Sequence, residues 1–97
     1  MKEEIKYKIT LNKFFENKNK RDMAIYCNTE MKAKILLNAF DKVGQKWSSG
    51  KSYTLYINWE DYKDKTCYTN DNYFTDFDDV KEHNYKIYEF EEVDLEH

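Results

Sequence analysis

Between Thr29 and Gly44 the apolar residues recur at helical spacing. Ala33, Leu36, Leu37, Phe40 and Val43 share one side, while Lys32, Lys34, Asn38, Asp41 and Lys42 lie largely on the other. Ile35 and Ala39 widen the apolar stripe. Asn28 or Thr29 can cap the first turn through a side-chain oxygen, and Gly44 falls where a left-handed C-cap belongs. The spacing predicts one amphipathic helix over about 29–43. Such a stripe must be buried against another element, and the rest of the chain reads mainly as strands.

Ile5, Tyr7, Ile9 and Leu11 alternate with polar residues over 4–11, a half-buried strand pattern. Phe14 and Phe15 follow, and residues 16–22 read as a polar loop. Met23 to Cys27 is a short apolar run consistent with a buried strand. Beyond Gly44, strands are predicted at 45–48, 53–59, 66–69, 73–77 and 85–90, with a charged loop at 60–65 and a polar segment around Asp78 to His83. The expected architecture is α+β: a single mainly antiparallel sheet with the helix packed on one face. Ninety-seven residues make one domain, expected over 1–94. Leu95-Glu96-His97 matches the start of a C-terminal polyhistidine tag and is read as a tag remnant.

Aromatics are 18% of the chain, so Tyr, Phe and Trp must supply much of the core. No window reaches the ~18 consecutive apolar residues of a membrane span. The N-terminal MKEEIKYKITL has no apolar signal-peptide region. The expected location is the cytosol of a host cell. Cys27 and Cys67 fit reduced thiols there, and a Cys27–Cys67 disulfide stays open as the alternative. Lys, Asn, Tyr and Ile are abundant, Arg occurs once and Pro is absent, a bias associated with AT-rich genomes.

Charge is divided along the chain. Residues 1–51 carry 12 Lys/Arg and 6 Asp/Glu, whereas residues 52–97 carry 4 and 13. Trp59, Tyr62, Tyr68, Tyr73, Tyr85 and Tyr88 are interleaved with the acids. The acidic half reads as a solvated face, or as carboxylates that imitate nucleic-acid phosphates before a cationic partner. The candidate partner-binding residues are Trp59, Glu60, Asp61, Tyr73, Asp76, Asp78, Asp79 and Glu82. A basic patch of Lys13, Lys18, Lys20, Arg21, Lys32 and Lys34 could meet nucleic acid directly. The single Arg and the net negative charge argue against it.

Gly44 to Ser52 invites comparison with a P-loop, but five residues separate the glycines where that motif has four. A helix also precedes the segment and a strand follows it, the reverse of the required order. The same turn could still hold a small ligand such as a nucleotide. Trp47 offers a stacking face, Ser48, Ser49 and Ser52 offer hydroxyls, and Lys51 offers a charge. The plainer reading is a core Trp beside a turn. His83, the one histidine outside the tag-like end, has no partner at catalytic or metal-ligand spacing. Asp76, Asp78 and Asp79 lack the Gly and terminal Glu of a calcium loop. No enzyme, cofactor or metal is therefore expected.

Residues Ala24-Ile25-Tyr26-Cys27, the Ala33–Val43 helix, Gly44 to Gly50, Asn58-Trp59 and Thr66-Cys67-Tyr68 together resemble small accessory proteins of phages and plasmids of low-GC Gram-positive bacteria. The resemblance covers about half the chain. It implies a mobile-element protein, by analogy an anti-CRISPR-like inhibitor of a host nucleic-acid-directed defence enzyme. The expected function is thus non-enzymatic binding through the acidic, aromatic-rich surface. The alternative is a small-ligand module built on the Trp47–Ser52 turn. Self-association is compatible with either.

Overall fold

Met23–Tyr26 (β2) is the strand around which the protein is arranged. In the computed structural model, which describes residues 7–16, 20 and 22–96, it lies between two neighbours. Thr66–Thr69 (β3) pairs with it antiparallel and Lys86–Glu89 (β5) pairs with it parallel. Phe74–Asp76 (β4) extends the sheet beyond β3, giving the order β4-β3-β2-β5. A second, two-stranded parallel pair joins Ile9–Thr10 (β1) to Val93–Asp94 (β6). The helices are Leu11–Phe14 (α1), Glu30–Lys42 (α2) and Phe77–Glu82 (α3). The fold is α+β, as expected.

Successive residues on β2 face opposite ways, so the sheet buries two surfaces. Ile25, Cys27, Tyr68 and Tyr88 pack toward α2, whose Ala33, Leu36, Leu37 and Phe40 are buried with them. Ala24 and Cys67 pack on the other side with Val80, flanked by Tyr26, Phe77, Tyr85 and Ile87. Both cysteines are free, buried and assigned to opposite sides of the sheet. Burial pushes both thiols up, that of Cys67 to about 12.

The structure corrects several expected elements. Of the strand predicted over 4–11, the described residues keep Ile9–Thr10 alone, and it stops there because Thr10 caps a helical turn through its hydroxyl, 3.2 Å from the Lys13 amide. A strand would send Phe14 and Phe15 to opposite faces. The turn lets both meet Phe40, at ring distances of 6.0 and 4.8 Å. Residues 4–6 of that expected strand, and Lys18 and Arg21 of the expected basic patch, lie outside the described residues.

Residues 45–48 and 53–59 are not strands. The first contributes a single bridge, Lys46 to Ser52, and the second is a loop. The polar segment at 78–82 is helical. Asp76 accepts from the Asp79 amide at 2.8 Å, Asp78 and Asp79 stand in the positive first turn, and Val80 is buried. α3 therefore covers the second face of the sheet. Ile35 and Val43, expected within the buried stripe of α2, are 44% and 42% exposed. Leu95 is half-buried and packs against the core.

Part of the charge division is used internally. Lys32 pairs with Glu91, and Lys8 lies 2.6 Å from Glu92, so the basic half meets the acidic C-terminal segment. These hydrogen-bonded lysines hold both carboxyls below the usual carboxylate range. Each link therefore acts above the ordinary carboxyl pKa and fades as pH falls through the lowered one.

Phe40→Ala should cost about 3–5 kcal/mol, because it opens a void among three other rings. Ile35→Ala, on the exposed side, should change stability by less than about 0.5 kcal/mol. Thermal unfolding of both variants checks this, and an unshifted melting curve for Phe40→Ala would contradict helix-on-sheet packing.

Candidate functional site

The turn after α2 is tied at both ends. Trp47 N–H donates to Lys51 C=O at 3.0 Å, and Gly50 N–H donates to Trp47 C=O at 2.8 Å. Gly50 has φ +89°, a conformation glycine adopts without strain. Ser48 N–H donates to the Asn72 carbonyl at 3.0 Å, seating this turn against the β3–β4 turn. Asn72, itself left-handed at φ 69°, is buried and donates through Nδ2 to the Tyr53 hydroxyl at 2.9 Å.

Trp47 is only 7% exposed. Its ring lies 4.5 Å from Tyr53, 6.0 Å from Tyr68 and 5.7 Å from Phe74. Its Nε1–H donates to the Tyr56 carbonyl at 2.8 Å. The Tyr68 hydroxyl donates to the Ile57 carbonyl at 2.6 Å, and the Tyr26 hydroxyl to the Asp64 carbonyl at 2.8 Å. Three aromatic side chains thus hold the loop between Tyr53 and Lys65. These bonds, with a left-handed Asn58 at φ 55°, are why the alternating residues 53–59 form no ladder. Burial pushes the Tyr53 and Tyr68 hydroxyls up, so both remain protonated donors or acceptors.

Between turn, loop and sheet edge lies an open cleft of about 350 Å³. Trp47, Ser48, Ser49 and Lys51 line it from the turn, Tyr56 and Asn58 from the loop, and Asn72, Tyr73 and Phe74 from the sheet. All four residues of the alternative ligand site are therefore brought together. The Lys51 ammonium sits 5.6 Å from the centre of the Tyr56 ring. Among the described residues it has no carboxylate partner. Trp47 is a core residue as well as a wall of the cleft.

The eight partner-binding candidates divide. Trp59, Glu60 and Asp61 border a hollow on the loop with Glu30 and Leu55. Tyr73 is half exposed and belongs to the Trp47 cleft. Asp76 is taken by capping. Asp79 accepts from the Thr75 hydroxyl at 2.8 Å and lies 3.2 Å from His83 Nδ1. The Asp79 backbone carbonyl, with its nearby carboxylate, raises the pKa of His83. Asp78 is 3.6 Å from Lys65 Nζ, and Glu82 is exposed.

A second cleft, of about 430 Å³, lies on the α3 side of β4. It is lined by Thr69, Asp71, Tyr73, Phe74, Thr75, Asp79 and Tyr85. Sequence reasoning missed Tyr56, Asn58, Asn72, Phe74, Thr75 and Tyr85 as site residues. The Asn70-Asp71-Asn72 turn was a signal that β3 and β4 lie side by side, and hence that Tyr73 and Phe74 flank an edge.

Among the described residues, no group of three or more His, Cys, Asp and Glu could hold a metal, and no helix is long and apolar enough to cross a membrane. No family model matches the chain, and neither curated proteins nor solved structures give a match.

Tyr68→Phe removes the donor to the Ile57 carbonyl and should cost about 1 kcal/mol. For a domain of this size that lowers Tm by roughly 4–8 °C. An unchanged Tm would mean that the bond does not hold the loop.

Proposed function

We propose that the protein acts by binding a partner protein and not by catalysis, with the Trp47–Phe74 cleft as the socket for an anchoring side chain. The observation that carries this reading is the convergence of Trp47, Tyr56, Tyr73 and Phe74 around an open cleft beside the Lys51 ammonium, which has no carboxylate partner among the described residues. Interfaces concentrate binding energy in such aromatic sockets. The cleft is open and at the small end for a drug-sized ligand, which suits a protruding side chain. The likeness to accessory proteins of phages and plasmids supports a partner within a host defence system.

Charge mimicry is the second reading. It draws support from Glu60, Asp61, Asp78 and Glu82, which are exposed, while Asp76 and Asp79 are occupied within the fold.

Capture from the host cytosol, followed by kinetics on the retained partner, separates the two. Under the cleft reading, Tyr73→Ala and Lys51→Ala each weaken binding at least about tenfold, mainly through faster dissociation. Under mimicry, changing Glu60, Asp61, Asp78 and Glu82 to Gln or Asn slows association and removes its salt dependence. Retention of full affinity by both cleft variants would overturn the cleft reading.

A further inference from the structure

The strand β4 is the last in its sheet, and its outer edge carries the Tyr73 and Phe74 walls that the two clefts share. Thr69 N–H donates to Tyr73 C=O at 2.9 Å, which makes 69–73 a hydrogen-bonded pair of the antiparallel ladder. Pairs in such a ladder alternate, so Tyr68–Phe74 is a non-bonded pair. Phe74 therefore turns its N–H and C=O away from β3, and Asp76 turns its N–H the same way. The Asn72 carbonyl is occupied by Ser48, and α3 begins at Phe77. The open edge is thus short and bounded, from Phe74 to Asp76.

We propose that the partner binds as an extended strand added to this edge of β4, with neighbouring side chains entering opposite clefts. This rests on the cleft reading above and specifies its occupant. Successive side chains of a strand point to opposite faces. The two clefts lie on opposite faces of β4: Phe74 packs with Trp47 on the α2 side, while Thr75 bonds Asp79 on the α3 side. One cleft is walled by rings and accepts an aromatic or long aliphatic residue. The other is bordered by Asp71 and Asp79, which already take the Thr69 and Thr75 hydroxyls, Asp79 also meeting His83. A carboxylate has about four acceptor positions, so this cleft keeps its negative character and accepts Lys or Arg. The partner segment therefore carries an apolar residue directly beside a basic one. Strand addition of this kind takes affinity from main-chain bonds and specificity from alternate side-chain pockets. The opposite edge, β5, exposes Lys86 and Glu89, charges that discourage pairing.

The test selects a phage-displayed library of random linear decapeptides against the protein. Binders should share an aromatic or aliphatic residue adjacent to Lys or Arg. On saturation with a selected peptide, the amides of Phe74 and Asp76 should exchange at least about tenfold more slowly by NMR. N-methylation of the peptide backbone facing Phe74 should abolish binding. If peptides bind and Lys51→Ala weakens them, but the Phe74 and Asp76 amides are unaffected or N-methylation is tolerated throughout, strand addition is wrong and the socket stands. If anchors repeat at helical i, i+4 spacing, strand addition is likewise wrong. If no peptide is enriched, or if ATP or a cyclic dinucleotide fills the cleft and shifts the melting curve, both the strand and the protein-socket readings fall.

Discussion

Trp47 ties the loop that begins at Tyr53, which no regular ladder joins to the sheet, to the paired strands β3 and β4. Its indole touches Tyr53 from the loop, Tyr68 from β3 and Phe74 from β4, and its N–H ends on the Tyr56 carbonyl. The loop between Tyr53 and Lys65 has little regular structure beyond one 3₁₀ turn. Backbone carbonyls without a ladder still need hydrogen-bond partners where they pack against the sheet. Here Trp47, Tyr68 and Tyr26 supply them from the rigid sheet and the turn after α2. The cleft exists because this arrangement brings Tyr56 to the same cleft as Tyr73 and Trp47.

The aromatic residues do two kinds of work in a domain with few large aliphatic side chains. Phe14, Phe15, Phe40 and Tyr53 form a chain of edge and stacked contacts between α1, α2 and the loop. Tyr53, Tyr68 and Trp47 bury their rings, and Tyr26 does so in part, while their polar ends bind backbone or Asn72. The acidic residues are similarly divided. Asp76 and Asp79 build the start of α3, Glu91 and Glu92 meet Lys32 and Lys8, and only part of the acidic half is left facing solvent unpaired. A charge count along the sequence overstates the free acidic surface for this reason.

The α+β class, α2, β2 and β3 were legible because each has a strong period or a bounded apolar run. Thr29 caps α2 as its position implied. Tyr53 to Trp59 misled because its alternation is real but is satisfied by side-chain anchors and not by a neighbouring strand. α3 was hidden because six residues give too few turns for a stripe, although Asp76 with Phe77 and Val80 at i, i+3 was the available signal. The cluster of Trp47, Ser48, Ser49 and Lys51 was legible as a unit. Its opposite wall was not, since Tyr56 and Tyr73 join it only through the tertiary path of the loop and the sheet order.

The account makes the Trp47 indole N–H the organiser of the cleft, and amide exchange in Trp47→Phe tests that most directly. Phenylalanine keeps a ring in the core but cannot reach the Tyr56 carbonyl. Exchange across residues 53–58 should accelerate about tenfold, the equivalent of one lost hydrogen bond, while amides of β2, β3 and β5 keep their relative protection. Unchanged exchange in that segment, or an equal loss everywhere, would contradict the claim that this contact positions the cleft.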